Sequence, residues 1–242
     1  VPPTTTADLL RLLTRDPGRP RLTWYGDGGE RVELSGAVLE NWVNKTANLL
    51  VEEFDAEPGT RVRLDLPGHW RTVIWALATW RVGACVSLVP EEADVVVTDR
   101  PDASPGATEL VAVSLPALAR RYDGTLPAGA VDAATAVMTY ADALGWTAPA
   151  QPDETALVGA ETVTHADLLT TAVTPEPGRV LRVAPDRTGT VDLLAVLGTL
   201  AGDGSLVLVS PEVGRVLLDD PDRRARLVGT ERVTTDLLGT AG

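Results

Sequence analysis

Residues 59–88, GTRVRLDLPGHWRTVIWALATWRVGACVSL, decide the fold. After Pro58-Gly59, the apolar Val62, Leu64 and Leu66 alternate with Arg61, Arg63 and Asp65, the two-residue period of a strand with one apolar and one polar face. Charge on one face places such a strand near a sheet edge or beside a polar cleft. Pro67-Gly68 breaks it, and from Trp70 to Arg81 the pattern is that of a helix, with Gly83 suited to the left-handed position that stops one. Ala84 to Leu88 is then a short apolar strand and Asp94 to Thr98 another. Strand, helix, strand at this spacing is a βαβ unit, whose parallel strands need a right-handed crossover. The chain is therefore predicted to be α/β, with helices covering largely parallel sheets.

Upstream, Val38, Leu39, Trp42, Val43, Thr46, Leu49, Leu50 and Phe54 recur at three- and four-residue steps after Ser35, a good N-cap, which predicts a helix running towards Pro58-Gly59. Downstream the design returns: a strand opens at Pro177-Gly178-Arg179, a helix covers Thr190 to Leu200, and a strand covers Gly204 to Val209. Gly59 and Gly178, like Gly83 and Gly202, lie 119 residues apart. Both second strands run into proline and acid, at Pro90-Glu91 and Pro211-Glu212. Two βαβ-type lobes are expected, residues 1–110 and 154–242. An irregular connection, 111–153, lies between them, with Val111 to Tyr122 and Val131 to Tyr140 as its ordered pieces.

The charge balance is 21 basic against 34 acidic residues, a net of −13. An excess of that sign repels phosphate backbones and anionic lipid, so nucleic acid and membrane surfaces are not expected partners. Lys45 is the only lysine, a bias that reads as GC-rich coding and weakens any argument from arginine alone. No apolar run approaches the roughly 18 residues of a membrane span. The opening residues lack a leader's apolar centre, and the single cysteine, Cys85, cannot bridge within the chain. A cytoplasmic protein is expected.

Few residues offer chemistry. Two histidines and one cysteine at these spacings make no metal cluster, and no metal or cofactor is expected. The glycine patterns of hydrolase elbows, P-loops and dinucleotide folds are absent. Cys85 sits in an apolar strand, where burial suppresses its thiolate. His69 opens a helix. His165 follows the apolar strand Thr155 to Val158 at an expected strand-to-helix turn, the place where α/β sheets hold ligands. Thr162, Thr164 and His165 are thus the candidate ligand-binding residues, with capping by Thr164 as the plainer alternative. Trp42, Trp70, Trp75 and Trp80 all fall on the first two helices and cannot share one face, because steps of five residues rotate about 140° around the axis. Core packing accounts for most of them.

Several stretches resemble the large domain of adenylate-forming enzymes, the superfamily of acyl-CoA synthetases, peptide-synthetase adenylation domains and luciferases. They are LTWYGDGGERVELSG (22–36), NWVNKTANLL (41–50), PGTRVRLDLPGHW (58–70), WRVGACVSLVP (80–90) and TVTHADLL (162–169). The likeness is to a short actinobacterial branch of that superfamily and covers about half of the chain. It implies an α/β fold and, in active members, a Ser/Thr/Gly-rich loop ending in P-K-G just before V-x-H, gripping the phosphates of ATP. Here that place reads Ala156-Leu157-Val158-Gly159-Ala160-Glu161: the lysine is absent and Glu161 adds negative charge. Later motifs of the family have no counterpart before residue 242.

The resemblance with these departures implies a catalytically silent relative of the large domain, used for interaction or weak binding of a small ligand. The alternatives are a half-enzyme completed by a partner chain, or an acyl- or CoA-binding module using a cleft near His165, with Arg179, Arg182 and Arg187 as its basic rim. The partner expected is a second copy of the chain, forming a homodimer, or another protein. Against the homodimer stands a fold-back of residues 219–242 as a local cap.

Overall fold

The computed structural model describes residues 2–90, 93–172 and 178–239; Glu91 and Pro177 lie outside the described residues. The chain runs α1 (Thr6–Leu13), β1 (Pro20–Tyr25), β2 (Arg31–Ser35), α2 (Gly36–Phe54), β3 (Arg61–Asp65), α3 (Trp70–Arg81), β4 (Cys85–Ser87), β5 (Val95–Thr98), β6 (Glu109–Ala112) and β7 (Val131–Asp132). It continues through α4 (Ala133–Ala136), β8 (Thr155–Val158), β9 (Thr162–Thr164), β10 (Arg179–Val183), α5 (Thr190–Ala201), β11 (Ser205–Val209), α6 (Pro211–Asp219), α7 (Pro221–Thr230) and β12 (Thr235–Asp236).

Two sheets form, with orders β7-β6-β5-β3-β4-β8-β9 and β12-β10-β11-β1-β2. Each is parallel except for one antiparallel edge hairpin, β8–β9 in the larger and β1–β2 in the smaller. The sheets draw on interleaved parts of the chain. Residues 20–35, from the expected first lobe, join the smaller sheet, where Leu22 pairs with Leu206 and Tyr25 with Val209. Residues 155–164, from the expected second lobe, close the larger sheet, where Val86 pairs with Leu157. Arg21, 1% exposed, pins this exchange by donating to the carbonyls of Leu13 (3.2 Å) and Asp203 (3.0 Å) and pairing with the Asp203 carboxylate at 2.7 Å.

The main core lies between the sheets. Along β11, Leu206 and Leu208 face this core while Val207 and Val209 face a second cluster under α6 and α7. The smaller sheet is therefore covered on both sides. α3 contacts β3 and β4 of one sheet and β1 of the other, so residues 70–80 are buried without interruption. That position explains the scattered tryptophans: every side of α3 meets apolar neighbours, and no amphipathic stripe is required.

Local signals set the helix ends. The Ser35 hydroxyl accepts from Val38 N, as an N-cap does. α2 stops at Phe54, before Pro58-Gly59, because Asp55 turns left-handed (φ 49°) and Ala56 N donates to Leu50 O at 3.1 Å. α3 spans the expected residues 70–81, and Gly83 holds φ 80°. β3 is paired on both sides, by β4 and β5, so its arginines mark a polar face and not an edge. That face opens on a cavity of about 740 Å³ lined by Arg61, Arg63, Asp94 and the loop 104–108.

Candidate functional site

The segment 155–172 does not make the expected strand-to-helix turn. β8 enters the larger sheet beside β4, and after a three-residue turn the chain returns as β9 antiparallel to β8. Residues 165–172 then form turns rather than a helix. The expectation failed because alternation of Thr162, Val163 and Thr164, with only Val163 buried, is itself a strand pattern, and the hairpin lets it pair. There is accordingly no helix N-terminus at Thr164 and His165 to attract an anion.

The turn Gly159-Ala160-Glu161 is closed upon itself and upon α5. Gly159 N donates to Glu161 O at 3.0 Å, and Ala160 N donates to the Thr190 hydroxyl at 3.0 Å. A Cβ at residue 159 would lie 2.1 Å from the Thr190 oxygen, so glycine is required there by close approach to the first residue of α5. The exposed carboxylate of Glu161 completes the turn.

The three candidate residues reach different partners. Thr162 is exposed on the edge strand. The Thr164 hydroxyl donates to the Asp167 carboxylate at 2.9 Å and accepts from Asp167 N at 3.2 Å, an ST turn. His165 is half-buried; its backbone N donates to Glu154 O at 2.9 Å and its Nε2 lies 3.0 Å from Gly83 O, which makes Nε2 the protonated nitrogen. Burial lowers the His165 pKa from its ordinary value, against smaller opposing pulls from the Gly83 carbonyl and Glu154. Replacing His165 by alanine would strand the Gly83 carbonyl at the end of α3. The expected loss is about 1–2 kcal/mol of stability, read as a lower urea midpoint with unchanged slope; an unchanged midpoint would show that the bond contributes nothing.

His165 also lines a groove of about 560 Å³ between the first turn of α1, the end of α3 and residues 147–152. Nothing in the sequence announces it, because its walls come from four separate stretches of the chain, near residues 4–7, 80–81, 147–152 and 165–169. Sequence reasoning likewise missed the cluster at the carboxyl end of β3. There Arg187 donates to Asp99 Oδ1 (2.6 Å) and Asp65 O (3.1 Å), and Arg100 pairs with Asp65 at 3.1 Å. Gly68 N donates to Pro185 O (2.8 Å) and Thr188 N to Leu66 O (3.1 Å), stitching the two sheets together. A small pocket of about 30 Å³ lies beside these bonds, lined by Gly68, His69, Arg182, Pro185 and Thr188. Among the described residues no group of three or more His, Cys, Asp or Glu could hold a metal ion, and no helix is long and apolar enough to cross a membrane.

No family model matches the chain. A Mycobacterium tuberculosis protein, whose name is a family label without an activity, is 40% identical over 141 residues, which span 54% of this chain and 58% of that protein. Among solved structures, the acetoacetyl-CoA synthetase of Streptomyces lividans matches with a TM-score of 0.66 at 20% identity, over 85% of this chain and 38% of the synthetase. The Brucella canis acyl-CoA synthetase matches with a TM-score of 0.67 at 17% identity, over 90% of this chain and 50% of its own. The chain thus has an α/β fold similar to part of these two synthetases and spans half or less of their length.

Proposed function

We propose that this chain, an α/β domain with the acyl-CoA synthetase fold, does not form adenylates and serves instead in interaction or in weak binding of a small ligand. The observation that carries this reading is the turn at 159–161. A triphosphate needs free backbone N–H groups and a cation where its charge lies. In this turn Gly159 N and Ala160 N are already bonded, the space beside Gly159 is filled by Thr190, and the one ionisable group is the carboxylate of Glu161. Removing a single donor to developing charge costs about 3–4 kcal/mol of transition-state stabilisation, a factor of 10² to 10³. Here the turn carries no cation, and the backbone N–H groups of Gly159 and Ala160 are already taken.

Calorimetry of the chain with magnesium-ATP, together with carboxylate-dependent pyrophosphate exchange over a panel of fatty and aromatic acids, tests the reading. ATP is expected to bind no more tightly than the millimolar range, and exchange to stay at the blank. A micromolar dissociation constant, or exchange above blank with any acid, would overturn it.

A further inference from the structure

We infer that the groove beside His165 binds an organic monoanion with a flat apolar body, its charged group on Arg81. The inference rests on the reading of the chain as a ligand-binding module and names the ligand class. Much of the groove is apolar: Trp80, Leu168, Leu169, Pro149 and Pro152 line it. The Trp80 indole is held in place, since its Nε1 donates to Ala156 O at 2.7 Å. A fixed indole beside leucine and proline suits a planar apolar body.

Charge selects the rest of the ligand. In a chain of net charge −13, no Asp or Glu among the described residues lines this groove, and the one permanent cation among its described lining residues is Arg81, the last residue of α3. Arg81 Nε is buried without a hydrogen-bond partner, and the guanidinium makes no ion pair among the described residues. Glu40 is the acid within electrostatic reach and stops short of pairing with it. By contrast, Arg21 and Arg179 are paired with carboxylates, and buried Arg71 donates to the carbonyls of Leu115 and Pro116. An oxyanion on the ligand would supply the acceptor that Arg81 lacks. The groove opens at the amino ends of β4 and β8, beside Gly83 and Glu154, whereas the turn 159–161 follows the carboxyl end of β8. It is therefore separate from the place where phosphates bind in the family.

The probes are naphthalene-2-sulfonate and its neutral relative naphthalene-2-sulfonamide, titrated into the whole chain and followed by calorimetry. The sulfonate is expected to bind at least about tenfold tighter, equivalent to about 1.4 kcal/mol. Arg81→Met should abolish that preference while leaving the sulfonamide's affinity unchanged, and Arg81→Lys should keep part of it. Ala166→Trp, at an exposed lining position, should weaken both probes by filling the groove. Equal affinity for the two probes, no binding of either, or a preference that survives Arg81→Met would overturn the inference. Neither probe is a nucleotide, so this failure would leave the ATP result standing. Micromolar ATP affinity would in turn overturn the earlier reading without touching these titrations.

Discussion

Glu231→Ala is expected to destabilise the fold by about 3–5 kcal/mol, the range for removing one partner from a buried ion-pair network. Glu231 caps the end of α7 and its side chain is 4% exposed. Its Oε1 accepts from the Tyr25 hydroxyl (2.5 Å) and from Arg31 (2.9 Å), while its Oε2 accepts from Arg179, which also reaches the Thr23 hydroxyl at 2.8 Å. One carboxylate thus joins α7 to β1, β2 and β10. Burial alone would push its pKa up, but the bonds from Tyr25, Arg179 and Arg31 outweigh burial and hold it below the usual carboxylate range. Alanine would leave Arg179, 12% exposed, with a charge and no carboxylate. Arg31→Ala, at the 43% exposed partner, should cost less than about 1 kcal/mol, as exposed pairs do. Urea unfolding of both variants decides; a Glu231→Ala loss within about 1 kcal/mol of the Arg31→Ala loss would show that the network does not hold the outer layer.

Lowering the pH from 7 to 5 is expected to cost about 2 kcal/mol of stability through His69 alone. His69 is 4% exposed and serves as the N-cap of α3: its Nδ1 accepts from Arg71 N at 3.2 Å, and its ring packs edge-on against Trp24 at 4.6 Å. Burial, with a smaller contribution from the charge of Arg71, lowers its pKa from 6.5 to about 3. The folded state therefore keeps His69 neutral at pH 5, while the unfolded chain takes up a proton below about 6.5. Stability falls with pH by about 1.4 kcal/mol per unit through that window and levels off only near the folded value. The Glu231 carboxyl, whose folded pKa is depressed, adds loss of the same sign as pH falls further. His69→Asn retains a capping acceptor and has nothing to titrate, so its unfolding free energy should change about 2 kcal/mol less than the parent's between pH 7 and 5. Identical slopes for the two proteins would exclude His69 as the source.

The parts of the fold that were legible are those decided within a few residues. The Ser35 cap, the three- and four-residue spacing of α2, the limits of α3 and the alternation in β3 each follow from contacts along a single helix turn or strand. The lack of a basic residue just before Thr162 was legible for the same reason, since it is a matter of residue type at one place. The site was less so. Thr162, Thr164 and His165 stand next to each other in sequence but reach solvent, Asp167 and Gly83 respectively, and the helix expected after them is a hairpin.

By itself, then, the sequence determined an α/β chain, its two central helices and the lack of a basic residue at 156–161, because periodicity, capping and residue chemistry act locally. Tertiary structure alone decided that β1 joins β11 and that β8 joins β4. It also decided that Glu231 gathers Tyr25, Arg31 and Arg179, and that Arg81 is left without an ion pair among the described residues at the end of a groove. Each of these depends on which distant segments share the interior. That choice follows from burying the most apolar surface with every backbone group bonded, a property of the whole chain that no short window contains.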